Sequence, residues 1–480
     1  MESAVMHIYP GSLQVRGVSA FFIGRNDKSD YLAVAGPDAE LFTGEIAMYQ
    51  SKQYKLCPLT VENSQVIREL FAFTNPVRCE GRAVSLGMGD RLGLASYGHI
   101  RSVLGTDVFP VLAQQSMREL NLTGRTYEEV LAAAVWAVFR EGYTKGYGAD
   151  GDHLKTSEEV KYALGCGYSM ITLDCSEHIR NDYAAAGQGE VDAQYEKLPR
   201  EVTSLLEGIY LNRNFSIDSE LTICFGEPEF RRIAVVYYQA ICHAVDIYEE
   251  HIKSAGADFE VSIDETLSVT TPQAHFFVAN ELIRRGVEVF SIAPRFPGEF
   301  QKGVDYIGDT VEFERDFEKH VKIAEKFGYK ISVHSGSDKF SIFPIVGRLT
   351  GGRFHLKTAG TSWLEALRVI AMCAPNLYRE IHTFALENLA DARKYYHITE
   401  DISDIKDISS VADDDLPAYL EQNSSRQVLH ITYGLILTAK SPDGQTIFRD
   451  RIYGALREFE TEYGAALERH LRLHIVACKA

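Results

Sequence analysis

From residue 82 onward, short apolar runs rich in β-branched side chains alternate with longer amphipathic stretches. Strand-like runs repeat every second residue and helical ones every 3.6 or so, about the rhythm of successive strand–helix units. Eight short runs carry it: "AVSLGMG" at 83–89, "DVFPVLAQQ" at 107–115, "GADGDHLK" at 148–155, "MITLDCS" at 170–176, "FEVSIDET" at 259–266, "VEVFSIAPRF" at 287–296, "YKISVHSG" at 329–336 and "RFHLKTAG" at 353–360. Helical stretches fall between most of them, at 127–140, 157–163, 228–254, 272–285 and 312–327. The one at 272 has Thr270 or Thr271 as its cap and Pro272 in its first turn, a strong start signal. Eight strands, each followed by a helix, is the count of a closed (β/α)8 barrel of the TIM type, with a doubly wound open sheet as the competing α/β arrangement.

The flanks differ. Residues 1–80 read as a small α/β extension, in which "SAFFIG" and "YLAVAG" are strands and a helix follows at 64–73. The barrel is expected over 81–399. Residues 400–480 read as an acidic connector, "EDISDIKDISSVADDDLP", and a C-terminal helical extension that packs on the barrel and closes with one long helix at 447–473.

Composition narrows the classes. At 480 residues and 45% hydrophobic, the chain is long enough for a large core. A net charge of -18 argues against nucleic acid or an anionic membrane as partner, since both need a basic face. An anionic small molecule needs only a local cluster of Arg and Lys. The cysteines at 57, 79, 166, 175, 224, 242, 373 and 478 form no C-x-x-C pair, which suits reduced thiols in the cytoplasm. Met1-Glu2-Ser3-Ala4 opens no secretory pattern and no apolar run approaches about 18 residues, so a soluble cytoplasmic protein is expected.

Catalytic groups of a barrel sit at the C-terminal ends of its strands. Here those ends carry Asp152, His153, Lys155, Asp174, Asp264, Glu265, Arg295, the stretch from His334 to Lys339, His355 and Lys357. A lone histidine there is ordinarily structural, but His153, His334 and His355 on one rim with carboxylates nearby suit a divalent metal such as Zn, Mn, Co or Ni. Asp152 beside His153 supplies a carboxylate able to move a proton near that metal. Asp264 and Glu265 are adjacent on a strand, so only one of them is expected to aim into the mouth. Arg295, Lys155 and Lys357 together would clamp a carboxylate or phosphate. His275, in the first turn of its helix, is read as a second-layer or substrate contact. "GMGDRLG" at 87–93 lacks the G-x-G-x-x-G spacing of a dinucleotide site.

"SIDETLSVTTPQAHFFVANEL" (262–282), "SIAPRFPGEFQKGVDYIGD" (291–309), "HSGSDKFSIFP" (334–344) and "HLKTAGTSWLEALR" (355–368), together with "GADGDHLKT" (148–156), resemble the tagaturonate epimerases of hexuronate catabolism. The resemblance spans most of 80–400 and implies a metal-dependent barrel enzyme that interconverts D-tagaturonate and D-fructuronate. The two ketoses differ at a carbinol two bonds from the ketone, so enolisation cannot invert it. Retro-aldol cleavage and re-addition can. Transient oxidation is the other route and wants a nicotinamide. "GDHLK" and "VHSGSDK" are also similar to metal-ligating segments of class II aldolases, and an aldolase or lyase on a related sugar acid is the alternative activity. On this resemblance His153, His334 and His355 are the expected metal ligands. Asp152 and Glu265 are the acid/base pair, with Glu265 as an alternative fourth ligand. Arg295, Lys357 and Lys155 hold the substrate carboxylate, and Ser337 or Asp338 contacts sugar hydroxyls.

Overall fold

The computed structural model describes residues 7–26, 29–49, 52–81, 83–399 and 401–479. At its centre eight parallel strands close into a barrel: β1 (Val84–Gly87), β2 (Phe109–Ser116), β3 (Gly148–Leu154), β4 (Met170–Asp174), β5 (Asp258–Ile263), β6 (Ser291–Pro294), β7 (Lys330–Val333) and β8 (Phe354–Lys357). Each strand pairs with its neighbours in the sequence, and β8 pairs with β1 to complete the ring. Every apolar run read from the sequence overlaps one strand, and the open-sheet alternative is excluded by the closure.

The intervening helices begin and end where side chains satisfy their free backbone groups. Thr126 and Glu129 form a reciprocal capping box on helix Tyr127–Glu141, and Thr156 and Glu159 do the same for Ser157–Cys166. Thr271 caps Pro272–Arg284 by accepting from the Ala274 amide, and Asp309 caps Thr310–Phe327. Each cap is worth about 1 kcal/mol, and those of the 157 and 272 helices start elements that follow strand ends carrying site residues. The 228–254 stretch is helix Glu227–Ile247 continued through a π turn at Tyr248–Ile252.

Strands Ser19–Arg25 and Asp30–Ala35 belong to an antiparallel sheet with Lys52–Pro58 and Glu45–Tyr49, followed by helix Val61–Leu70. Beyond the barrel, the acidic connector forms short 3-10 turns at Ile402–Asp404, Ile408–Ser410 and Asp413–Leu420, and then helices Asn423–Ile431 and Tyr433–Thr438, which the periodicity did not reveal. The single long helix expected at 447–473 is two, Arg449–Glu458 and Glu460–Ala477, broken at Phe459 (φ -101°, ψ 38°). Past the break, the Glu460 carboxylate meets Arg140, Arg25 and the Tyr9 hydroxyl. One continuous apolar core links Phe21 of the N-terminal sheet, Val261 of β5 and Leu467 of the last helix.

Candidate active site

The site is built from the ends of β3, β5, β7 and β8. On β3, Gly151 pairs with Ile171 and Leu154 with Leu173, so three steps along β3 match two along β4. That bulge holds Asp152 and His153, and His153 sits in left-handed backbone at φ 54°. A bulge re-aims side chains that strict alternation would send to opposite faces. Ser335, just past β7, is also left-handed at φ 50°. Each such non-glycine position costs about 1–3 kcal/mol, and such strain collects at working sites.

His153, Asp264 and His334 converge there. One ligand atom from each lies within 4.8 Å of the others. The Nδ1 of His153 is held by Asp152 at 2.7 Å, and the Nε2 of His334 by Glu260 at 2.7 Å. The second nitrogen of each ring is left for another partner; Nδ1 of His334 is buried without a hydrogen bond, 3.3 Å from Asp264. Burial alone would push the His334 imidazolium down, but Asp264 and Glu260 overcome it and raise its pKa to about 10. The ring thus favours positive charge at a point faced by carboxylates. Two imidazoles and one carboxylate, with each imidazole fixed by a further carboxylate, are a donor set that fits a divalent transition metal.

Beneath this group lies Lys357. Its Nζ is 2.9 Å from Asp150, 2.7 Å from Asp152 and 2.9 Å from Glu260, all buried. Burial would depress the ammonium, yet these three carboxylates hold its pKa well above the usual lysine range. Gln114 donates to the other oxygen of Asp152 at 2.7 Å. Breaking one partner of such a buried pair costs about 3–5 kcal/mol, so the network fixes the carboxylates that orient the two histidines.

A cavity of about 450 Å³ opens above, lined among others by His153, Glu265, Lys302, His334, Ser337 and Arg118. A second, also about 450 Å³, adjoins it and shares Asp264, Lys302, His334 and Tyr396. Together they have room for a six-carbon sugar acid. A larger cavity of about 560 Å³ lies outside the barrel, but its Arg25 and Arg140 are already paired with Glu460, and among the described residues its carboxylates form no cluster that could hold a metal ion.

The family model for tagaturonate epimerase matches residues 9–477. The chain belongs to the tagaturonate epimerase family. It is similar to the tagaturonate/fructuronate epimerase of Thermotoga maritima, at 40% identity over 475 residues, covering 98% of this chain and 96% of that one. The native crystal structure of fructuronate-tagaturonate epimerase from Cohnella laeviribosi superposes with a TM-score of 0.95 at 47% identity, covering 99% and 96% of the two chains. A glycerol complex of the same protein gives 0.95 at 48%, covering 98% and 96%. Membership makes this chain an epimerase, an isomerase-class enzyme. Among the described residues no helix is long and apolar enough to cross a membrane.

Several residues expected to meet metal or substrate in this epimerase are buried, turned away or paired with other groups. His355 is fully buried, with its Nδ1 2.9 Å from the Ser85 hydroxyl, and burial lowers its pKa to about 3. It precedes Lys357 by two residues, which at about 3.3 Å per residue puts it a layer below, and it is Asp264 that comes together with His153 and His334. Lys357 spends its charge on three carboxylates and has none left for a substrate carboxylate. Asp338 turns away from the mouth to meet Arg426 at 2.7 Å and His470 at 2.5 Å. His275 is buried between helices, bonded to His320 at 2.8 Å and the Tyr329 hydroxyl at 2.7 Å.

Others line the cavities with changed roles. Asp152 has both oxygens engaged, one by His153 and Lys357 and the other by Gln114. Lys155 faces Glu177 at 3.1 Å and Asp174 at 3.5 Å. Arg295 lines the adjoining cavity and donates to the Thr266 carbonyl. Ser337 accepts from the Gly360 amide at 3.3 Å. Glu265 is exposed on the cavity wall, and because β5 ends at Ile263, Asp264 and Glu265 both reach the mouth from a loop. The sequence reading missed Glu260, Lys302 and Arg118. A charged residue inside the apolar run "FEVSI" was the available signal for Glu260.

Proposed function

We propose that this chain interconverts D-tagaturonate and D-fructuronate by retro-aldol cleavage and re-addition, with a divalent cation held by His153, Asp264 and His334. The observation that carries this is the paired arrangement in which Asp152 and Glu260 each fix one nitrogen of a histidine while the other faces a shared point beside Asp264. When bound, such a cation supplies Lewis acidity to the substrate ketone. Glu265 has no hydrogen-bond or ion-pair partner among the described residues, and it takes the proton from the hydroxyl on the carbon to be inverted. The bond between the α and β carbons then breaks, its electron pair staying on the ketone half. The aldehyde half turns, the bond re-forms on its other face, and Glu265 returns the proton. Asp152, Glu260 and Lys357 keep the histidines oriented throughout. Eight free cysteines support a reducing, cytoplasmic setting.

Carbon NMR on tagaturonate incubated with purified protein tests the reading. Fructuronate alone is expected, with activity removed by a chelator and restored by a transition metal. Three-carbon products would make the enzyme a lyase. Solvent deuterium at the inverted carbon in one turnover would contradict the retro-aldol route, which keeps that hydrogen on the aldehyde.

A further inference from the structure

The proposed reaction creates a problem that the metal-ligating group does not solve. Cleavage leaves two unlinked three-carbon pieces, and the one that must rotate is 2-hydroxy-3-oxopropanoate, which carries the carboxylate. An epimerase has to keep hold of it.

Six cations line the first cavity, and four are spent. Arg91 pairs with Glu119 at 3.0 Å and stacks 3.6 Å from the Tyr433 ring. Lys155 faces Glu177 and Asp174, and Lys357 has its three carboxylates. Lys339 is buried and donates to the carbonyls of Gln301, Val304 and Ser337. Lys302 and Arg118 remain. The only partner of the Lys302 ammonium among the described residues is the Ser335 hydroxyl at 3.0 Å. Arg118 is exposed on the rim and among the described residues has no ion pair, its guanidinium lying only over the face of Tyr396, 6.0 Å from the ring centre. Burial pushes the Lys302 ammonium down from its ordinary value, partly offset by Glu119 and Asp152 and reinforced by Arg91 and Arg118, and an anion beside it would oppose that shift. Lys302 also lies where both cavities meet, next to the residue that follows His334.

We propose that Lys302 and Arg118 are the carboxylate anchor of this site, holding the aldehyde half in place while it turns. The anchor rests on the retro-aldol reading. In the substrate, the carboxylate lies two bonds beyond the inverted carbon on the side away from the ketone. Holding it leaves only two torsions, one on each side of the carbinol next to the carboxylate, and the outer of these is its bond to the inverted carbon. Half a turn about that bond presents the other aldehyde face. A guanidinium and an ammonium suit the two oxygens of a carboxylate, and positioning at both ends replaces a bimolecular re-addition by an intramolecular one.

Tartronate, which has the carboxylate and carbinol of the aldehyde half, is the probe. Calorimetry on the metal-loaded protein should show Lys302→Met and Arg118→Met each weakening tartronate about 10- to 100-fold, the usual worth of a charge-assisted hydrogen bond. Metal content and melting temperature should stay at wild-type values, and Lys302→Arg should recover most of the affinity. In turnover, Lys302→Met should raise KM and release three-carbon fragments visible by carbon NMR, whereas wild type releases none. Unchanged tartronate affinity in both Met variants overturns the anchor. If wild type fails to epimerise while tartronate binding still depends on Lys302, the reaction assignment and the turning role fall and only the carboxylate-binding site stands.

Discussion

Two groups in this molecule have the same composition, two histidines and an aspartate close enough to share an ion: His153, Asp264 and His334 at the barrel mouth, and Asp338, His470 and His474 beside the last helix. The hexapeptide "HSGSDK" feeds both, with His334 to one and Asp338 to the other. Their surroundings separate them. In the first, carboxylates fix one nitrogen of each ring and the other is left open. In the second, Asp338 is matched by Arg426 and His470, the His474 Nε2 accepts the Asp338 amide at 3.1 Å, and its Nδ1 donates to the His470 carbonyl at 3.0 Å. A guanidinium in contact with the aspartate also repels a cation. The same donors make a candidate metal centre where the neighbours are acids, and a rivet between the β7 loop and the C-terminal helix where a base is present.

Substitutions can break that contrast at several levels. Glu265→Gln, which removes the free carboxylate but leaves both groups intact, should lower the rate by about 10²–10⁴ with metal content unchanged. A loss of metal there would make Glu265 a ligand. Asp152→Asn keeps the shape but weakens the hold on His153, so metal affinity should drop about 10- to 100-fold, measured by competition with a chelator. A variant that keeps its affinity but loses rate would return Asp152 to proton transfer. Asp338→Ala should leave the rate per folded molecule nearly unchanged while costing about 3–5 kcal/mol of stability, read from denaturant melts, because it strands Arg426 in a buried setting. His355→Gln, in the layer below, should shift the rate least, less than about threefold in a steady-state assay.

The barrel was legible in the sequence because each strand is a compact apolar run bounded by turns, and closure followed from their number. The rim was legible for His153 and His334, which end their strands. His355 misled because inward-pointing positions two apart differ in depth, and only the outer one, Lys357, reaches the charged layer. Asp152 and His153 facing the same mouth needed a bulge that no local residue pattern announces. Lys302 and Arg118 stand out only by elimination, once the partners of the other cations are known, and those partners come from distant parts of the chain. The split at Phe459 was hidden for a related reason. No proline or glycine marks it, and the ion pairs of Glu460 lie hundreds of residues away.

Metal content per chain in wild type, His334→Ala and His470→Ala, measured on folded protein by elemental analysis, tests the central assignment most directly. One divalent ion per chain is expected in wild type, nearly none in His334→Ala, and one in His470→Ala. Metal retained in His334→Ala and lost in His470→Ala would put the ion in the other group and contradict the account.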